Sequence, residues 1–452
     1  MWLLYFADVE IPDLLGDIVL GGPKLSHLEQ ADDIIIFATS PAALQAKLDA
    51  FYRWCGKVFL QVNKLKSWWM PLACQPRVVP TFRIGGEPVV LREDATYVGM
   101  NLTATSRNVY NTHSALKAAT AYGIGSTVFS IVDKRCLQCP PTVSRKLYMA
   151  LLDPHLTHGA DVNPDVTKKG VRPLEKVQIQ YLRRMLRVGK RSSTVALFTE
   201  TGLWPIRYRR ADLLVRYLGY LLQRPEGSYA RAAIQDSVAL AAQGKPAWMA
   251  DVRRALWKLP VPVALGNVVD SGDIDDVRIA IKDAMLTYLQ RELDGNRKLD
   301  LLRGRPTAGC HSVAGWGSAP TMAFRGYLAL KIPSHRTALT RLLLCDHELA
   351  VERLRWEDVD HRRRLCRFCR GAVEDAQHAL MVCSGSEQLT TLRSVFYRTL
   401  YEREPELWRL LLQLDELKAI QLLSVHETSL PTFARYVRDV LRLYAECPMY
   451  RP

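Results

Sequence analysis

Glu29-Gln30-Ala31-Asp32-Asp33-Ile34-Ile35-Ile36-Phe37 decides how the N-terminal part of this chain is read. Two adjacent carboxylates stand directly before four large apolar residues. The Ile-Ile-Ile-Phe run reads as a buried strand. Lys24 to Gln30 can supply its hairpin partner, which places the aspartates in or beside the turn. Side chains alternate faces along a strand, so neighbouring carboxylates converge only where the backbone bends. Two such carboxylates, joined by a third from elsewhere, are the means by which a nucleotidyl transferase holds paired Mg²⁺ ions. An isolated Asp-Asp is otherwise a solvated acidic turn.

Working outward, Ser40-Pro41 supplies an N-cap and a first-turn proline. Leu44, Leu48, Phe51, Tyr52 and Cys55 then recur at helical spacing, and Gly56 ends the run. Val58 to Val62 reads as a strand and Ser67 to Met70 as another, with the basic turn Asn63-Lys64-Leu65-Lys66 between them. A second hairpin is expected from Thr81 to Ile84, the turn Gly85-Gly86, and Val89 to Leu91; Tyr97-Val98-Gly99-Met100 follows.

In these motifs the chain resembles the second half of a reverse transcriptase palm, of the non-LTR (LINE-like) retrotransposon type. The resemblance rests on Glu29-Gln30-Ala31-Asp32-Asp33, Ser40-Pro41, Asn63-x-x-Lys66-Ser67 and Tyr97-Val98-Gly99. It implies an RNA-directed DNA polymerase with an RNA template and a DNA primer as partners. It implies that Asp32 and Asp33 are Mg²⁺ ligands, that Lys66 lies near the incoming triphosphate, and that the region of Tyr97 to Met100, Gly99 included, grips the primer end. Position 30 is Gln where the family usually has an aromatic residue. The palm also needs a first aspartate and fingers from upstream. Met1 to Asp8 resembles the end of the preceding palm segment, and Asp8, Glu10, Asp13 and Asp17 do not stand in the first-aspartate context. The expectation is therefore a chain that polymerises poorly or not at all alone: a truncated element, or one piece of a longer polyprotein whose upstream polymerase segment is a further partner.

The second strong motif is Cys366-x2-Cys369-x8-His378-x4-Cys383. Four soft or borderline ligands in one short window suit tetrahedral Zn²⁺. LINE-like reverse transcriptases often carry such a knuckle after the polymerase, so the resemblance agrees. Cys136-x2-Cys139 with His155 and His158 is a looser set; Pro140-Pro141 and a helical stretch follow it, and packing is the simpler reading. Without a secretion signal, ten cysteines suit a reducing, intracellular compartment.

Lys plus Arg number 61 against 46 acidic residues, a formal charge of +15, which favours a polyanionic partner. Arg183, Arg184, Arg187, Lys190, Arg191, Arg207, Arg209 and Arg210 form one cluster. Arg353, Arg355, Arg362 to Arg364, Arg367 and Arg370 form another around the knuckle. Trp204, Tyr208 and Trp356 lie among them, a composition that suits single strands and heteroduplexes. A solvated helix face is the plain alternative for the first cluster, and nucleic acid is favoured for the second.

The whole reads as α+β. A partial palm of β-hairpins plus helix spans 1–105, and a helical thumb-like region 106–225. A linker and helical connection follow at 226–320, with Gln223 to Pro262 as the linker proper, and a helical C-terminal region at 321–452 contains the knuckle at 366–383. No apolar stretch reads as long enough to span a bilayer, so no membrane partner is expected. Two other classes remain: a non-catalytic nucleic-acid-binding remnant, and a retrotransposon endonuclease, for which no Pro-Asp…Asp/Glu-x-Lys pattern follows Cys383.

Overall fold

The structure, a computed structural model, describes residues 9, 11, 17–72, 78–106, 108–136, 139–266, 273–307, 316–317 and 319–451. Asp8, Glu10, Asp13, Cys74, Cys310 and the segment 137–138, all weighed above, lie outside the described residues, as does the side chain of Cys136. The chain is α+β and mostly helical, and its strands pair only two at a time among the described residues. Two compact units are distinguished. The first comprises Met1–Thr120, Leu156–Leu174 and Arg207–Ile281; the second comprises Ala121–His155, Glu175–Ile206 and Lys282–Pro452. They interleave along the chain, where the sequence suggested consecutive parts.

In the first unit, His27–Gln30 pairs antiparallel with Asp33–Ile36 in the register Gln30↔Asp33 and His27↔Ile36. The hairpin turn is Ala31-Asp32, with Ala31 at φ 53°. The isoleucines are half-buried, not fully buried, because a two-stranded ribbon has one covered face. Ile34 and Ile36 pack on Phe51 and Cys55 of the helix Pro41–Lys57, joined by Trp54, Leu60 and Val62.

Ser40 caps that helix by accepting the Ala43 amide at 3.3 Å. Its buried stripe is Ala43, Lys47, Phe51 and Cys55, so the apolar face expected around Tyr52 is rotated, and Tyr52 is exposed. The rotation puts a lysine inside. Lys47 is buried, donates to the Phe37 carbonyl at 2.6 Å and pairs with Asp17. Asp17 is thereby occupied inside the fold. Val58 to Val62 is not a strand: the helix runs through Gly56 to Lys57, and Phe59 at φ 59° breaks the extended path.

Arg83–Ile84 pairs with Glu87–Pro88 about Gly85-Gly86 as expected. Val90–Leu91 instead pairs in parallel with Trp68–Trp69. Gly85 has φ +54°, and the Tyr52 ring occupies the space a Cβ there would need. The last hairpin joins Asp94–Tyr97 to Met100–Thr103 through Val98-Gly99, both at positive φ (46° and 77°), the backbone of a type I′ turn. The stretch 223–262 corrects the linker expectation. Tyr229–Ala242 and Trp248–Trp257 are helices that bury Ile234, Met249, Val252 and Leu256. Alanine runs that resemble a spacer are also strong helix formers, and Ser228 caps the first helix.

In the second unit, Val177, Tyr181, Leu182, Met185 and Leu186 form a buried face. The Gln178 amide, in the same helix, is fully satisfied by the Tyr148 hydroxyl, the Trp204 carbonyl and the Ile206 amide. A π-turn over Tyr148–Leu152 shifts the periodicity, so Leu152 is buried while Leu151 is exposed. Among the described residues His113–Lys134 is long and apolar enough to cross a membrane, which the sequence reading had not expected; Ala118, Ala121 and Phe129 on it are buried.

A buried charge cluster ties the second unit's segments together. Glu200 accepts Arg305 Nη1 at 2.8 Å and the Tyr327 hydroxyl at 2.9 Å, with Arg325 Nε at 3.6 Å. Burial acts to raise the Glu200 pKa, but the Arg305 and Arg325 charges outweigh it and hold the carboxyl below its ordinary range. A depressed carboxyl contributes stability above the ordinary carboxylate range, lost as pH falls through the folded value. Glu200→Ala leaves two guanidinium groups facing a void. It is expected to lower unfolding free energy by roughly 3–5 kcal/mol, seen as a lower urea midpoint at neutral pH. An unchanged midpoint would remove this cluster from the account of the fold.

Candidate functional site

Each unit carries one candidate site. In the first, Asp32 sits in the hairpin turn and Asp33 opens the returning strand, both exposed. Strand alternation puts Asp33 on the face opposite Ile34 and Ile36, away from the covering helix. Tyr97, at the tip of the last hairpin, is half-buried. Burial raises its pKa, and the Asp33 charge raises it further, so the tips of two hairpins share one electrostatic neighbourhood. Among the described residues, no third histidine, cysteine, aspartate or glutamate completes a metal-holding group with Asp32 and Asp33. Lys66 is exposed in the turn after Asn63, whose side chain accepts the Lys66 amide at 3.2 Å.

A histidine pair beneath the Val98-Gly99 turn went unnoticed in the sequence. A Cβ at Gly99 would touch His158 Nε2 at 3.5 Å. His158 faces His113, with ring centroids 5.2 Å apart. The Asn101 amide donates to His113 Nδ1 at 3.1 Å, which assigns the ring proton to Nε2, 3.3 Å from the His158 carbonyl. Burial, foremost, lowers the His113 pKa to about 4. The neutral ring thus fixes the returning strand of the hairpin.

In the second unit, Cys366, Cys369, His378 and Cys383 place one ligand atom each within 4.8 Å of one another. The local backbone explains the convergence. The Leu365↔Val373 bridge and the bonds Cys366 N–H to Ala372 O (2.8 Å) and Arg370 N–H to Cys366 O (2.9 Å) make a tight loop. Asp375 accepts the His378 amide at 2.8 Å, and a π-turn over His378–Val382 delivers Cys383. Gly385 passes so close to the Cys369 backbone that a Cβ would stand 2.6 Å from its nitrogen.

Cys366 Sγ and Cys383 Sγ are 3.6 Å apart, and Cys369 Sγ is 3.2 Å from His378 Nε2. Metal–sulfur bonds of about 2.3 Å in a tetrahedron separate two sulfurs by roughly 3.8 Å. The donor set therefore fits and could hold a zinc ion. Burial first, then the neighbouring Cys366, pushes the Cys383 thiol up to about 11.

The arginines divide. Arg183, Arg184, Arg187 and Arg341 line a groove of about 370 Å³ with Phe129 and Asp133. Arg184 stacks on Phe129 at 4.6 Å and pairs with Asp133 at 3.0 Å; Arg183 donates to the Ser192 carbonyl at 3.2 Å. Arg187, at φ 56°, lies 3.8 Å from Asp133. Arg191 stacks on Trp356 at 4.3 Å.

The cluster around the knuckle is divided: Arg364 and the Arg367 side chain are buried, Arg355 is half-buried, and Arg353, Arg362, Arg363 and Arg370 are exposed. Arg367, expected to meet nucleic acid, is only 4 % exposed in its side chain. It donates to Glu374 at 2.7 Å, to the Glu348 carbonyl at 2.9 Å and to the Cys447 carbonyl at 2.8 Å. Arg353 pairs with Glu348, Arg355 with Glu352, and Arg364 donates to the Val351 and Val359 carbonyls. Glu374, Tyr444 and His113 have no local signature; each acts on partners remote in sequence. Of the looser set, the Cys136 side chain lies outside the described residues, and His158 turns to His113. The sequence matches no family model and no curated protein.

Two outcomes are expected. Native mass spectrometry of the full chain detects one tightly held metal ion, lost in Cys366→Ser/Cys369→Ser; a metal-free native mass rejects the site. The His113 pKa lies below its unfolded value of about 6.5, so the unfolded chain takes up the proton first. Its stabilising contribution is full above that pH and falls on acidification towards about 4. Thermal midpoints of the first unit should drop across this window, and His113→Asn should flatten the slope.

Proposed function

We propose that this chain handles a primer–template as part of a non-LTR reverse transcriptase, with Asp32 and Asp33 as two Mg²⁺ ligands of an RNA-directed DNA polymerase centre. The carrying observation is the pair of adjacent, exposed carboxylates at the turn of the first hairpin, where Asp33 pairs with Gln30. Burial first, then the Asp33 charge, raises the Tyr97 pKa. In this reading the turn of one hairpin offers carboxylates to the metal and the turn of the other holds the primer 3′ end beside it. Lys66, exposed on its own turn, is the cation assigned to the triphosphate. A third carboxylate, from outside the described residues, would complete the metal set. Bound Mg²⁺ would supply the charge that stabilises the leaving pyrophosphate.

Zn²⁺ is the ion assigned to the Cys366, Cys369, His378, Cys383 group, in a structural role: four protein ligands leave no open position for chemistry. Arg183, Arg184 and Arg187 support the nucleic-acid reading of the second unit. Their groove combines several guanidinium groups with an aromatic face and a single carboxylate, the composition that follows a phosphate backbone. Arg364 and Arg367 of the knuckle do not share that task, because their donors are used inside the fold.

Photocrosslinking tests the palm reading without requiring catalysis. An RNA–DNA hybrid with 4-thiothymidine at the recessed primer 3′ terminus is bound to the full chain and irradiated. Crosslinked peptides should map to Asp94–Thr103, and Tyr97→Ala should reduce the yield several-fold. Crosslinks confined to other segments, or none above a blunt-duplex control, would reject the assignment.

A further inference from the structure

The hydroxyl of Tyr444 points at sulfur. Tyr444 is fully buried on the C-terminal helix Leu430–Glu446, and its Oη lies 3.6 Å from Cys366 Sγ. A buried phenol needs an acceptor. A protonated thiol is a weak one, whereas an ionised sulfur accepts strongly. The rest of the residue is held by the knuckle as well. Phe368 meets the Tyr444 ring edge to face at 4.7 Å, and the Arg367 guanidinium lies 5.4 Å from the ring centroid. Arg367 also donates to the Tyr444 and Cys447 carbonyls while Glu374 neutralises it. Backbone and side chain of one helical turn are therefore tied to the loop that carries the first two ligands.

We propose that Tyr444 is a positioning residue of the metal centre: its phenol donates to the Cys366 thiolate, so that metal loading and the seating of helix Leu430–Glu446 are one coupled event. The inference rests on the zinc assignment above and goes beyond it. Three thiolates, a neutral imidazole and a dication sum to one excess negative charge. Cys366 and Cys383 are buried, so that charge is stable only with donors directed at the sulfurs. Tyr444 brings such a donor from a residue 61 positions beyond the last ligand, which no spacing pattern in the knuckle reveals. The knuckle is then a staple for the C-terminal helices: Arg393, on the helix Glu387–Arg403, donates to the Leu380 and Cys383 carbonyls at 3.0 and 2.8 Å.

Tyr444→Phe removes the donor and keeps the ring. In the full chain, zinc affinity measured by chelator competition should fall about 10- to 100-fold, the usual cost of losing an outer-shell partner of a metal ligand. With Co²⁺ in place of Zn²⁺, the thiolate-to-metal charge-transfer band should shift. Tyr436→Phe is the control: this hydroxyl, on the same helix, donates to the Leu380 carbonyl and not to sulfur. Its cobalt spectrum should match that of the unaltered chain. In the unaltered chain, chelation should speed hydrogen exchange across Leu430–Glu446, a readout that stands even where Tyr444→Phe does not fold. No metal in the unaltered chain overturns the zinc assignment and this inference together. Metal bound normally, with Tyr444→Phe equal in affinity and cobalt spectrum, or with exchange in the helix unmoved by chelation, overturns the Tyr444 role alone.

Discussion

A guanidinium or ammonium taken out of water must meet an anion or a set of carbonyl oxygens, and this constraint organises a chain with a formal charge of +15. Lys47 is buried on Asp17, Arg210 on Asp165 at 2.8 Å, Arg305 on Glu200, and Arg367 on Glu374. Each pair joins segments that packing alone would hold less specifically. Arg210 also donates to the Leu156 carbonyl at 3.0 Å, so its remaining donor is used. These pairs contribute little net stability relative to apolar replacements, but removing one partner strands the other. Each therefore penalises any arrangement of its segments that separates the two charges.

The same constraint sorts the basic residues by role. Arginines that find internal partners are withdrawn from solvent, as Arg364 and Arg367 are in the knuckle cluster, whereas Arg362, Arg363 and Arg370 of the same cluster stay exposed. Others keep guanidinium surface in solvent: the side chains of Arg184 and Arg187 are 48 % and 37 % exposed. Around Phe129, Arg184 and Arg187 share Asp133, and Arg341 has Asp346 at 3.9 Å. Charge density along the sequence does not distinguish the two cases, because it does not record which carboxylate the fold turns inward: Glu374 meets Arg367 from seven residues away, and Asp133 meets Arg184 from 51.

The proposed polymerase centre and the zinc group differ in how they are held. Asp32 and Asp33 stand on an exposed ribbon covered on one face, where the backbone turn sets the spacing of the carboxylates. The cysteine–histidine group is enclosed, with Cys366 and Cys383 buried and the C-terminal helix beside them. An exposed pair of carboxylates suits ions that exchange with substrate, and a closed set of soft donors suits an ion that stays.

Local chemistry was legible in the sequence. The hairpin around Ala31-Asp32, the Ser40 cap, the turn at Gly85-Gly86 and the four candidate metal donors all follow from residues within one turn or loop of each other. Their geometry depends on backbone preferences and short-range hydrogen bonds, which neighbouring residues carry. What the sequence left open was which partner each element takes. Val90–Leu91 pairs with Trp68–Trp69, the 223–262 stretch packs as helices, Lys47 turns inward, and Arg367 closes the knuckle against Tyr444. Those outcomes belong to the tertiary structure. Burial, and the obligation to satisfy each buried donor and charge, are set by groups brought close in space from distant parts of the chain, and no local pattern records them.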